Sequence, residues 1–236
     1  HGNRAYEPLL YAKLAALHLS KERFTDAAET YSLFADVHPQ HREAPLFQSR
    51  VIDVYKQAGF SERVLEQKQA FIERYEPASD YWKQHDAAQS PEVMQQVQRH
   101  LRDVARHYHA LAQQQNKPQT YAEAGRWYRL YLNSFPESGQ APLMNFLYAE
   151  LLTGSGQHGL AATQYERTAY TYGQHEKAAE AGYAALLAYQ KHEPTLKGHS
   201  KAEWHRAGIN SALKFAGRFP QHKQALPVRT LAAQQL

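Results

Sequence analysis

Residues 120–135 read TYAEAGRWYRLYLNSF, and Pro136 follows. Counted from Tyr121, small residues stand three and four positions on (Ala124, Gly125), aromatic residues seven and ten on (Tyr128, Tyr131), and the proline fifteen on. Offsets of three, four, seven and ten fall on one face of a helix. Small side chains at the first two let another helix approach closely, and the proline stops the helix. The pattern recurs outward from this stretch. Phe24 is followed by Ala27, Ala28, Tyr31, Phe34 and Pro39. His158 is followed by Ala161, Ala162, Tyr165 and Thr168, with Gly173 in place of the proline. His205 leads to Gly208, Ile209, Ala212, Phe215 and Pro220, and Ser61 to Val64, Leu65, Lys68 and Phe71. A chain that repeats such a unit is predicted to be an all-α solenoid of about five helical hairpins with a trailing C-terminal helix.

Composition narrows the function. Of 236 residues, 43% are hydrophobic, enough for a core, and most of the 12 glycines and 11 prolines fall between the periodic stretches. Net charge is +4, with Lys and Arg scattered among Asp and Glu. A nucleic-acid binder would instead carry a basic stripe. There is no cysteine, which excludes disulfides, thiolate zinc sites and cysteine nucleophiles. That absence suits the bacterial periplasm and is also compatible with the cytoplasm. No stretch approaches the ~20 apolar residues needed to span a bilayer. The chain begins at His1 rather than methionine, so it reads as a piece of a longer protein whose leader or lipid anchor would lie elsewhere.

The expected organisation is one solenoid over residues 1–236, with units at 6–39, 43–77, 91–136, 141–173 and 175–220, a half-unit at 221–236, and an irregular insertion at 76–90. In the first helix Leu10, Leu14 and Leu17 share a face. Thr25, Ser61 and Ser90 stand where helix caps are expected. Thr120 with Glu123, and Ser200 with Glu203, have capping-box spacing. The last half-unit, with Leu226, Val228 and Leu231, reads either as a truncated array or as a natural capping helix.

These offsets resemble the tetratricopeptide repeat, a 34-residue helix–turn–helix with an aromatic residue opening its second helix, a small residue three later, an aromatic at seven and proline at fifteen. Phe24, Ala27, Tyr31 and Pro39 fit, as do Tyr121, Ala124, Tyr128 and Pro136; Phe34 and Tyr131 are bulky where the consensus has alanine. In the first helices Leu14–Ala15 and Tyr148–Ala149 occupy the Leu-Gly positions. The stretch Phe135, Pro136, Ser138, Ala141, Pro142 is similar to repeat proteins of Gram-negative envelopes, which include outer-membrane assembly lipoproteins and Tol–Pal coordinators.

Candidate chemistry is sparse. Fourteen histidines invite a metal reading, but HEKAA at His175 and HEPTL at His192 lack the second histidine of HExxH. His38 and His41 would need a third ligand, and His100 and His107 lie two helical turns apart, roughly 10 Å. No metal or other cofactor and no catalytic residue is expected. The GSGQHG stretch at Gly154 lacks the lysine and preceding strand of a phosphate loop. Anchor tyrosines such as Tyr31, Tyr128 and Tyr165 read as inter-helix packing. Tyr81 and Trp82, in the insertion, read as a plug or else as a secondary ligand platform.

The resemblance implies that the first helix of each hairpin lines a concave face. Counting back from each anchor places Ser49, Asp53 and Lys56 there in the second unit, Arg106, His109 and Gln113 in the third, and Phe146 and Glu150 in the fourth; the first unit offers only Ala12 and Ala16. This mixed set suits an extended peptide or partner protein. The expected function is a non-catalytic protein-interaction scaffold of the cell envelope. The alternatives are a nucleic-acid-binding helical repeat, and a glycan-binding or enzymatic superhelix that uses Tyr81 and Trp82.

Overall fold

The computed structural model describes residues 6–234; residues 1–5, including His1, and the last two residues of the expected trailing half-unit lie outside that range. Eleven α-helices are described: α1 (Glu7–Ser20), α2 (Phe24–Val37), α3 (Ala44–Gln57), α4 (Ser61–Tyr75), α5 (Pro91–Gln115), α6 (Pro118–Ser134), α7 (Ala141–Gly154), α8 (His158–Glu166), α9 (Ala178–His192), α10 (Gly198–Arg218) and α11 (Ala225–Gln234). Two 3₁₀ turns, Asp80–Lys83 and Ala87–Gln89, occupy the insertion, and no strand occurs among the described residues. The all-α, tetratricopeptide-like hairpin fold expected from the offsets is the fold observed. The chain divides into two compact units, one ending at Val104 and the other beginning at Ala105, so the division falls within α5.

In the first unit α1 to α4 pack in sequence, each on the next. Ala27 and Ala28 are fully buried, and the aromatic pair that follows closes the hairpin: Phe34 lies 4.1 Å from Phe47 and 5.5 Å from Tyr11, ring to ring. Burying each such ring stabilises the fold by roughly 1.5–3 kcal/mol. The insertion packs on α4, with Tyr81 buried 5.0 Å from Tyr75 and stacked 4.2 Å from His85. Trp82 is half-buried, and its indole N–H donates to the Tyr75 carbonyl at 3.0 Å. At the start of the chain, Leu10, Leu14 and Leu17 are about half exposed, because α1 has α2 as its packing neighbour and buries only Pro8 and Ala15.

In the second unit α6 to α11 pack in the same consecutive way. Ala124, Trp127, Tyr128 and Tyr131 of α6 are all fully buried. Tyr31, Tyr128 and Tyr165 are 6%, 0% and 5% exposed, which settles their role as packing residues rather than surface rings. The helix that His158 opens loosens after Glu166 into a π-turn at Arg167–Thr171. There Thr168 is buried and receives a hydrogen bond from the Asn145 side chain at 2.9 Å.

Two turns repeat. Within hairpins, Glu22, Gly59 and Gly156 adopt left-handed backbone (φ 56°, 76° and 76°), and the next amide closes on the carbonyl five residues back: Arg23 to His18, Phe60 to Tyr55, Gln157 to Leu152. This is the Schellman ending, which satisfies carbonyls the helix leaves open. Between hairpins, a side chain seventeen residues after the anchor accepts the amide two residues on. Glu43 donates to His41 Nδ1 at 3.1 Å, Gln140 to Ser138 Oγ at 3.2 Å, Lys177 to His175 Nδ1 at 3.2 Å and Gln224 to His222 Nδ1 at 3.2 Å. These turns lead into α3, α7, α9 and α11. Three of the fourteen histidines are thereby explained as helix-entry turns. His41 and His222 also rest edge-on against Phe34 and Phe215 at 5.2 and 5.1 Å.

The capping boxes do not form. Lysine occupies the cap positions of α6 and α10, and neither helix has a side-chain cap bond. Pro118 and Gly198 start these helices before the expected caps, so Thr120 and Ser200 lie within the first turn. Thr120 bonds Gln115 instead, Glu123 holds Arg126 and the Trp127 indole, and Glu203 meets His199. Thr25 and Ser61 likewise sit inside α2 and α4, whose cap positions are Arg23 and Phe60.

Candidate functional site

In the first unit, three helices converge on an open polar cavity of about 410 Å³. From α3 come Ser49, Asp53 and Lys56, the three residues picked out by counting back from Ser61. Their spacing of four and three residues puts them on one helix face. Lys68 of α4 and Arg99, His100 and Asp103 of α5 also line it, beside the apolar Ile52, Phe60 and Val64. Lys68 Nζ meets Asp103 Oδ2 at 2.5 Å, an ion pair between α4 and α5 at the cavity. Asp53, Lys56 and Arg99 are exposed. The cavity thus presents three cations and two carboxylates, a mixture that can hold peptide side chains of either sign.

His100 differs from the rest of this lining. It is 7% exposed, lies edge-on to Phe71 at 5.1 Å, and neither ring nitrogen has a hydrogen-bond partner. Burial, helped by the charges of Lys68 and Arg99 and opposed by Asp103, lowers its pKa from 6.5 to about 4. The imidazole is therefore neutral at pH 7.

In the second unit, Arg106 and Gln113 are exposed on α5 while His109, between them, is buried. His109 Nδ1 lies 2.9 Å from the Tyr128 hydroxyl, and Gln113 Nε2 lies 3.3 Å from His109 Nε2. The amide can only donate, so Nε2 accepts and the Nδ1–H donates to Tyr128. Burial lowers the His109 pKa and raises that of Tyr128. Phe146 of α7 is buried, 5.7 Å from Tyr165, with Lys177 Nζ 5.3 Å above its ring. Glu150, one turn on, is part-buried, and its pKa is raised by burial and by Glu180, with Lys177 opposing. Arg106, Gln113 and Glu150 therefore remain accessible, whereas His109 and Phe146 support them from beneath.

Counting back from anchors missed two sets. Arg99 and Asp103 lie upstream of Arg106 on the 25-residue α5, which is longer than a repeat helix. The count from Tyr121 reaches only its last turns. In the fifth hairpin the same count lands in the 3₁₀ turn Glu193–Thr195 and the loop after it. The helix-face positions there are Tyr183, Leu187 and Gln190, shifted by the extra residues ahead of α10. Among the described residues no group of three or more His, Asp and Glu side chains is placed to hold a metal ion, and no helix is long and apolar enough to cross a membrane.

These features define a tetratricopeptide-like helical-hairpin protein with polar helix faces. No family model matches the chain, and no curated protein matches it. Among solved structures it is similar to PilW, described as a widely conserved type IV pilus biogenesis factor. The identity is 13%, over 98% of this chain and 93% of that one, with a TM-score of 0.30.

Proposed function

We propose that this protein is a non-catalytic scaffold that binds a partner protein or an extended peptide along the faces carrying Ser49, Asp53 and Lys56 in the first unit and Arg106, His109, Gln113, Phe146 and Glu150 in the second. One observation carries the reading: the residues singled out on α3 line an open cavity with charged side chains from two neighbouring helices. Such a surface holds an extended chain through side-chain hydrogen bonds and opposed charges, which set specificity and encounter rate. The envelope is the proposed setting, supported by the Phe135–Pro142 sequence resemblance and by the lack of cysteine.

The test is affinity capture from an envelope extract with the unaltered protein and with the double variant Asp53→Lys, Arg106→Glu. Both positions are exposed, so helicity by circular dichroism is expected to be unchanged. The partner should be retained by the first and lost by the second. Capture that survives both charge reversals would remove these faces as the binding surface.

A further inference from the structure

The last hairpin and α11 enclose a second cavity, of about 260 Å³, within the second unit. It is the counterpart of the polar cavity of the first unit: a first helix (Tyr183, Leu187), a second helix (Trp204, Gly208) and the first helix of the next repeat (Val228, Leu231). Its chemistry is different. No lysine or arginine lines it, and its one carboxylate is Glu193. Glu193 sits 3.2 Å from His205 Nδ1 and keeps 30% of its side chain exposed. The pair puts a carboxylate, held by the His205 ring, at the edge of an apolar, aromatic cleft.

An anion would be repelled there, and a purely apolar group would leave the carboxylate unused. A cation on an apolar stem satisfies both parts: aliphatic walls for the stem, a carboxylate and the Trp204 ring for the charge. Gly208 keeps the space open. A Cβ there would stand 3.6 Å from Tyr189, ordinary contact, so a longer side chain at 208 can fold in and occupy the cavity.

We infer that this cavity takes a basic side chain of the bound partner, lysine or arginine, its stem against Leu187, Val228 and Leu231 and its charge beside Glu193 and Trp204. The peptide as the source of that side chain rests on the partner-binding reading above; the preference for a cationic stem does not.

The protein has three tryptophans, so Trp204 can be followed through its indole N–H signal in ¹⁵N NMR, assigned with Trp204→Phe. The small probes are hexylammonium, hexanol and hexanoate. The peptide probes are acetylated Ala-Ala-X-Ala-Ala amides with lysine, norleucine or glutamate at X. Hexylammonium and the lysine peptide should shift the Trp204 signal and bind about fivefold more tightly than hexanol and the norleucine peptide. Glu193→Gln should erase that preference. Gly208→Leu should abolish every shift, and Gly208→Ala, whose added methyl fits, should weaken binding with the fold intact. Hexanoate binding as well as hexylammonium, or a cation preference that survives Glu193→Gln, would overturn the inference. If hexylammonium binds and the lysine peptide does not, the peptide as source is refuted while the cavity's chemistry stands. The charge-reversal capture experiment tests the polar faces separately.

Discussion

Replacing His100 with leucine should remove a pH-dependent instability built into the first unit. The ring is buried against Phe71 with both nitrogens unpartnered, and its pKa is lowered to about 4. Between pH 6.5 and about 4 the unfolded chain binds a proton at this residue and the folded chain does not. Unfolding therefore becomes easier as pH falls through that window, the effect is absent above it, and it levels off below about 4. At pH 4.5, two units under the ordinary histidine value, the loss works out at roughly 2–3 kcal/mol. Leucine has a similar volume and no proton to gain. Urea unfolding of both proteins at pH 7.5 and 4.5 gives the comparison. The variant should be at least as stable at pH 7.5, since buried nitrogens without partners disfavour folding. Its advantage should grow by roughly 2–3 kcal/mol at pH 4.5. An advantage that stays constant between the two pH values would refute the reasoning, because the other histidines are common to both chains.

Three further outcomes follow from the packing and the turns. Gly182→Ala would place a Cβ 2.9 Å from the fully buried Phe215, so it should cost about 1–3 kcal/mol by thermal unfolding, while Gly139→Ala, with nothing within 4 Å, should change little. Glu22→Gly relieves a left-handed backbone and should stabilise by about 1 kcal/mol, whereas Gly59→Ala, in the equivalent turn, should cost about as much. His175→Ala removes the acceptor for the Lys177 amide and the contact from Nε2 to the Thr168 carbonyl, an expected loss of about 1–2 kcal/mol. His175→Asn should recover part of that loss, because a short amide oxygen can accept the amide two residues on.

Much of the fold was legible because its determinants are local and periodic. Small residues at three and four and rings at seven and ten can only face one neighbour, and Ala27, Ala28, Tyr128 and Tyr165 are buried accordingly. The helix-entry turns were equally local, since the offset-seventeen residues His41, Ser138, His175 and His222 are written in the sequence. They escaped notice because a histidine accepting a backbone amide leaves no compositional trace that separates it from a surface imidazole. Capping was misread for a different reason: Pro118 and Gly198 set the helix starts before Thr120 and Ser200. The candidate site was partly legible. Ser49, Asp53 and Lys56 follow from one helix's register, but the partners Lys68, Arg99 and Asp103 depend on how three helices meet. The apolar cavity around Trp204 depends on a loop whose length breaks the count.

The most direct test of the account is site-specific photo-crosslinking. A photoreactive residue would be placed at Lys56 and at Gln113 on the proposed faces, and at Glu66 and Asn133, exposed positions on α4 and α6 outside the cavity linings described. The account predicts adducts with one and the same partner from Lys56 and Gln113 and none from Glu66 or Asn133. Adducts confined to Glu66 and Asn133, or spread equally over all four, would contradict it.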